Sequence, residues 1–187
     1  MRNPMTWLAS RRVRIVWLLL LTATLVGCDQ ATKTYATRHL QYTSTNPLQY
    51  LGDTLEIRYA HNRGAFLSLF SGLSEESRFL LLTVMNAVIL TGVAVFLLSS
   101  REVEGVPFFA LTLLLAGGIG NLIDRAFLGG IVVDFMVINL SSWTGIGWLK
   151  TGIFNVADIA ITAGFLLLLP QLFHKSPPQT APKAAPA

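Results

Sequence analysis

The sequence predicts an all-α membrane protein: four transmembrane helices with a small β-like cradle on the outer surface between spans one and two. Three observations carry this expectation. The 187 residues are 52% hydrophobic and only 13% charged, where soluble domains carry about 25% charged residues. Four apolar runs recur between polar turns, at residues 12–29, 79–98, 106–123 and 154–173. Between the first two, Leu55, Ile57 and Tyr59 alternate with Glu56 and Arg58, a period of two that belongs to a strand.

Composition also excludes several function classes. The net charge of +4 is scattered and forms no stripe, so no nucleic-acid footprint exists. A single cysteine, Cys28, rules out an intrachain disulfide framework. His39, His61 and His174 lie far apart and in no HExxH pattern, so neither a metal nor a cofactor is expected.

Residues 1–14 are polar and basic, with Arg2, Arg11, Arg12 and Arg14. The apolar run that follows ends in Leu25-Val26-Gly27-Cys28, which is lipobox-like. Taken alone, residues 1–28 therefore read as a cleavable signal peptide with Cys28 lipidated. The alternative is a first membrane helix over 12–29, about 26 Å long and nearly the thickness of a bilayer core. The downstream spans remove the main attraction of the processing reading, a soluble mature domain. Asp29 and Lys33 follow at i, i+4 and pair on one helix face. As a surface ion pair they contribute about 0–1 kcal/mol; the functional reading is a polar cluster at the outer mouth of the bundle.

Asn46-Pro47 marks a turn before the alternating strand. His61-Asn62-Arg63-Gly64 comes next, with Gly64 allowing a tight bend or a close approach to a ligand. Ser74 before Glu75 and Glu76 suits a helix start, a hydroxyl cap followed by acids at the positive dipole end. Span three ends in Gly117-Gly118-Ile119-Gly120-Asn121, where Ala116 and Gly120 have the small-xxx-small spacing that lets helices approach. A second outer segment, 126–153, holds the β-branched run Ile131-Val132-Val133, the acid Asp134, and Trp143 and Trp148, which suit a membrane interface. Residues 1–173 are expected to form one domain, and the Pro/Ala-rich 174–187 a disordered cytoplasmic tail.

Four spans put both termini on one side, and the arginines before span one with Lys175 and Lys183 after span four favour the cytoplasm. Asp29, Asn121, Asp124 and Asp158 then converge at one depth near the outer face, with Asp134 in the loop between spans three and four. Asp158 lies inside an apolar run, where an ionisable group costs about 2.5–3.5 kcal/mol unless it meets a partner or a wet cavity. Asn155 and Asp158, at i and i+3, share a face. Two carboxylates in a low-dielectric cleft share a proton, so one acts as base and the other as acid. Such a pair activates water against a peptide carbonyl without a metal or covalent nucleophile. Taken singly, each acid reads more readily as a structural hydrogen bond to a neighbouring helix, Asp134 more so than Asp158.

Five motifs weigh between these readings: Asp29-Gln30 with Lys33, Asn62-x-Gly64-Ala65, Gly117-Gly118-x-Gly120-Asn121-x-x-Asp124-Arg125, Val132-Val133-Asp134-Phe135, and Phe154-Asn155-x-Ala157-Asp158. In this order, over residues 29–161, the chain resembles the bacterial lipoprotein signal peptidase family, signal peptidase II. The resemblance implies an intramembrane aspartyl endopeptidase of the bacterial inner membrane, with both termini cytoplasmic and the active site near the periplasmic face; a monomer is expected. Its implied substrates are lipid-modified prolipoproteins reached through membrane lipid and cut just before the diacylglyceryl-cysteine. By motif the catalytic pair falls on Asp134 and Asp158. Asn121, Arg125 and Asn155, with Asp29, Lys33, Asn62 and Gly64 at the cleft mouth, are implied to position substrate or acids. Asp124 is assigned to structure, pairing with Arg125. The stretch after Gly64 is one residue shorter than the commoner family form.

A small transporter using intramembrane carboxylates is the rival from another class. It is expected to show repeat symmetry or broken helices, and no internal repeat is found in the sequence. A serine-type protease needs a GxSG motif, which is absent from the sequence; Gly118-Ile119-Gly120-Asn121 mimics the GxGD aspartyl signature but lacks its acid.

Overall fold

The computed structural model describes residues 10–64, 74–100 and 103–173. Ala65 and Phe66 of the second motif, and the tail 174–187, lie outside the described residues. The architecture is mostly helical, with one three-stranded antiparallel sheet.

The first helix, α1 (Arg11–His39), is longer than the expected span and continues through Cys28 and the Asp29–Lys33 pair. Strands β1 (Leu48–Tyr50) and β2 (Leu55–Asn62) follow, and the strand expected over 55–59 extends to Asn62. Helix α2 (Glu75–Phe79) starts as expected at Ser74, whose side chain accepts from the Ser77 backbone N–H at 3.3 Å. A π-helical stretch, Leu80–Met85, leads into α3 (Asn86–Ser99). Helix α4 (Val106–Phe127) precedes β3 (Val132–Ile138); the short α5 (Ser141–Thr144) then leads to α6 (Val156–Phe173).

Three helical segments, Arg11–His39, Glu75–Ser99 and Val106–Phe127, are long and apolar enough to cross a membrane. The fourth expected span is shorter. Its apolar part is Val156–Gln171, below the about 20 residues of a full crossing. The two residues expected to open it, Phe154 and Asn155, instead join the sheet and cap the helix.

Helix α4 is the centre of the bundle. Half of its most apolar stretch is buried, against 11% for α1 and 17% for Glu75–Ser99. Leu18 of α1, Leu90 and Leu97 of α3, and Phe108 and Leu115 of α4 form one apolar cluster. Outward-facing Leu19, Val88 and Phe165 are exposed, as lipid-facing positions must be. On its other side α4 meets α6 at very short range. A Cβ built on Gly117 would collide with the Ala157 carbonyl oxygen, and one on Gly120 would lie 2.6 Å from Asp29 Oδ2. Gly117 and Gly120, rather than the expected Ala116 and Gly120, therefore make the close approach. Hydrogen takes the space where any side chain would hold the helices apart.

The sheet is broader in origin than a hairpin between spans one and two. Its order is β1-β2-β3, so its third strand comes from between α4 and α6. The β2–β3 register pairs Ala60 with Asp134 and Asn62 with Val132, after an irregularity between Ile57 and Ala60. Tyr59, Val133 and Phe135 pack with Ala36 of α1 and fix the sheet on the end of the bundle.

This packing makes two glycines unequal. Gly117→Ala is expected to lower stability by about 1–3 kcal/mol through overpacking. Gly92→Ala, where a Cβ meets nothing within 4 Å, is expected to be neutral or stabilising by up to about 1 kcal/mol through helix propensity. Denaturation midpoints of the two variants in detergent would check this; equal loss in both would contradict the close α4–α6 contact.

Candidate active site

The sheet places the first acid. Asp134 sits mid-strand in β3 and is 2% exposed. Asn62 is its diagonal neighbour on β2, a separation that a side chain can bridge. Its Nδ2 donates to Asp134 Oδ2 at 2.9 Å. Its Oδ1 accepts the Gly64 backbone N–H at 3.0 Å, which turns the amide so that its nitrogen faces the acid. Gly64 therefore contributes through its backbone.

The second acid is placed by a helix start. The Phe154 carbonyl accepts from the N–H groups of Phe135 and Met136, and the Phe154 N–H donates to the Met136 carbonyl at 2.8 Å. This bridge carries the chain along β3 and leaves Asn155 beside Asp134. Asn155 then caps α6: its Oδ1 accepts the Asp158 N–H at 3.0 Å, while Asp158 Oδ2 accepts the Asn155 N–H at 3.1 Å. The exchange is a capping box, with an acid in the first turn where the dipole favours it. Asp158 is thus half-buried at a helix N-terminus rather than one turn down an apolar span.

Asn155 joins the two acids. Its Nδ2 donates to Asp134 Oδ1 at 2.6 Å and to Asn121 Oδ1 at 3.0 Å. Asn121 in turn donates from Nδ2 to Asp158 Oδ1 at 2.9 Å. Burial pushes the Asp134 carboxyl up to about 7, and the neighbouring Asp158 charge adds to it, against the amide bonds from Asn62 and Asn155 and the more distant Lys33 charge.

Behind the acids lies a buried charge cluster. Lys33 Nζ contacts Asp29 Oδ2 at 2.8 Å, Asn121 Oδ1 at 2.9 Å and Asp124 Oδ2 at 3.1 Å. Three acceptors meet the three N–H donors of an ammonium. Asp29 Oδ1 also accepts the Ala157 N–H of α6 at 2.9 Å. The Asp29–Lys33 pair is therefore not a solvated ion pair; the two side chains are 1% and 4% exposed.

Asp124 does not pair with Arg125 as expected. Adjacent helix residues point about 100° apart, and Asp124 turns inward to Lys33, to Gln30 Nε2 at 2.9 Å and to the Val133 N–H at 3.0 Å. Arg125 feels the charges of Asp158, Asp134 and Asp124, and its buried Nε has no acceptor among the described residues. Of the nine residues named from the sequence, eight fall into one hydrogen-bonded assembly and Arg125 stands electrostatically beside it. Gln30 was not among them, although it also donates to the Gly120 carbonyl at 3.1 Å. Its signal was its place three residues before Lys33, on the same face.

Comparison with known proteins gives a consistent result. Residues 21–174 match the family model described as signal peptidase (SPase) II. A lipoprotein signal peptidase of Geobacillus thermodenitrificans is 32% identical over 166 residues, 89% of this chain and 95% of that protein. One from Borrelia duttonii is 34% identical over 158 residues, 84% of this chain and 90% of that protein. A bacterial membrane enzyme solved by the in meso method at 1.9 Å resolution superposes with a TM-score of 0.69 at 27% identity, over 87% of this chain and 96% of that one.

The Lys33 cluster yields a stability prediction. Lys33→Met strands two buried carboxylates and is expected to cost about 3–5 kcal/mol, as for a broken buried pair. Chemical denaturation in detergent would measure it; a loss below about 1 kcal/mol, the solvated-pair value, would contradict the burial.

Proposed function

The chain belongs to the signal peptidase II family, and from that premise we propose that this multi-pass membrane peptidase is an intramembrane aspartyl endopeptidase with Asp134 and Asp158 as its catalytic pair. As a lipoprotein signal peptidase it acts on prolipoproteins. In this reading it cuts just before the diacylglyceryl-cysteine, so the lipidated residue becomes the new N-terminus. The observation that carries the reading is the single residue, Asn155, that binds both acids, one through its side chain and one through its backbone.

The division of labour follows from the surroundings. Asp134, buried and raised to about 7, holds the shared proton. Asp158, half-buried at the positive end of α6, supplies the carboxylate. Asp158 takes a proton from water as the water oxygen bonds to the scissile carbonyl carbon, and Asp134 gives its proton to the carbonyl oxygen. When the tetrahedral diol collapses, the C–N bond breaks and the proton on Asp158 passes to the leaving nitrogen. The second diol hydrogen returns to Asp134, and water has been added across the peptide bond.

The other residues hold this geometry. Asn62, with Gly64 behind it, and Asn155 fix Asp134. Asn121 fixes Asp158, and Lys33 with Asp29 anchors Asn121 to α1 and α6. Arg125 supplies positive charge beside the pair. The outer segment with exposed Trp143 and Trp148 suits the periplasmic interface, with both termini cytoplasmic in the inner membrane. The substrate's acyl chains would lie in lipid against the apolar flank, so partition does part of the recognition.

Cleavage of a purified diacylglyceryl-prolipoprotein tests the reading. Asp134→Asn and Asp158→Asn are each expected to lower kcat by at least about 10²-fold, the lower range for lost acid–base catalysis, while the protein still inserts. Turnover within about two-fold of wild type in either variant would remove that acid from the pair. The pH profile has a definite sign. Asp134 loses its proton as pH rises through about 7, so kcat is expected to fall there; a rate still rising above that pH would contradict the assignment.

A further inference from the structure

A second polar site lies at the other end of α1. Residues 15–28 carry no charged side chain, a stretch of about 21 Å in a helix. Arg14 bounds it on one side, Asp29 and Lys33 on the other. Along the axis Arg14 is about 28 Å from Lys33, close to the hydrocarbon thickness of a bilayer. Arg14 therefore stands at headgroup level in the leaflet opposite the acids.

Its surroundings are unusual for an arginine at that level. Arg14 is only 6% exposed. Its guanidinium lies over the Phe108 ring, 5.2 Å from the centroid, and Nη2 donates to the Leu97 carbonyl in the last turn of α3 at 3.2 Å. Nε is equally buried and has no acceptor among the described residues. An unpaired buried donor on a charged group is costly, and a guanidinium has five N–H donors set out in a rigid fork. Arg14 lines a cavity of about 270 Å³ between α1 and α3. Arg11, Ser99 and Ser100 give it polar edges, and Ile15 and Leu98 give it an apolar wall.

We propose that this cavity binds the phosphate of an anionic phospholipid headgroup, held by Arg14 and Arg11. The planar fork of Arg14 matches a phosphate that offers two oxygens. The apolar wall receives the glycerol and the upper acyl chain. The C-terminal end of α3 presents about half a negative charge to the same space, and the two guanidinium charges exceed it. A bound headgroup would add a second tie between α1 and α3, beside the Arg14–Leu97 hydrogen bond. Basic pockets between membrane helices are recognised by such headgroups on general electrostatic grounds. The proposal does not rest on the peptidase reading, and cleavage is not its readout.

Native mass spectrometry of the full chain in detergent would test it, with phosphatidylglycerol or phosphatidylcholine of identical acyl chains. Phosphatidylglycerol is expected to be retained in preference. Arg11→Gln, at the exposed edge, should weaken its retention about five-fold, while Arg12→Gln, exposed and outside the cavity lining, should change it less than about two-fold. Arg14→Lys keeps the charge but loses the fork and is expected to weaken retention as well. If Arg14→Lys does not fold, the Arg11→Gln and Arg12→Gln pair decides the matter. Equal retention of the two lipids, or equal loss in those two variants, would overturn the proposal. Displacement of phosphatidylglycerol by millimolar inorganic phosphate would also overturn it, by showing a site for a free anion.

Discussion

The ammonium of Lys33 holds the site together. It comes from α1, its acceptors come from α1 and α4, and one of them, Asp29, also takes the Ala157 N–H of α6. Three helices therefore meet on one charge. An ammonium with fewer acceptors here would carry a large desolvation cost, so the three helix ends are held in one arrangement. Gly117 and Gly120 make that arrangement reachable, because a Cβ at either position would push α6 or the Asp29 carboxylate away. The site is rigid at its back as a consequence, and the two acids at its front inherit that rigidity through Asn121.

The two acids differ because the elements carrying them differ. Asp134 is on a strand with Val132, Val133, Phe135 and Val137 around it, all buried. Desolvation there favours the protonated form. Asp158 occupies the first turn of α6, where its Oδ2 accepts the Asn155 backbone N–H. The Asn155 cap belongs to both settings. Asp134 also carries a stability consequence: its raised carboxyl binds a proton better folded than unfolded. That contribution is fully present below the ordinary value of 3.8 and is lost as pH rises through about 7.

Much of this was legible in the sequence, for definable reasons. The apolar runs gave the long helices their order, three of them long and apolar enough to cross a membrane, and the alternation at 55–59 gave β2. Asp158 stood out because it interrupts an apolar run, whereas Asn62, Gly64, Asn121 and Arg125 came from the motifs that resemble the signal peptidase II family. What escaped were features set by neighbours distant in the chain. The run 154–173 could not reveal that Phe154 pairs with β3, so Asp158 was placed a turn too deep. The irregularity after Ile57 and the arrival of β3 as the third strand depend on pairing across about 70 residues. Asp124 was matched to adjacent Arg125, although helix geometry turns neighbours apart; its partners, Lys33 and Gln30, lie on another helix.

The central claim is that Asp134 holds the proton the pair shares. Infrared difference spectroscopy of wild type against Asp134→Asn, titrated through neutral pH, tests it most directly. A protonated-carboxyl band is expected in wild type that is absent from the variant and disappears with a midpoint of about 7. An unchanged band in Asp134→Asn that is lost instead in Asp158→Asn would reverse the roles of the two acids and contradict the account.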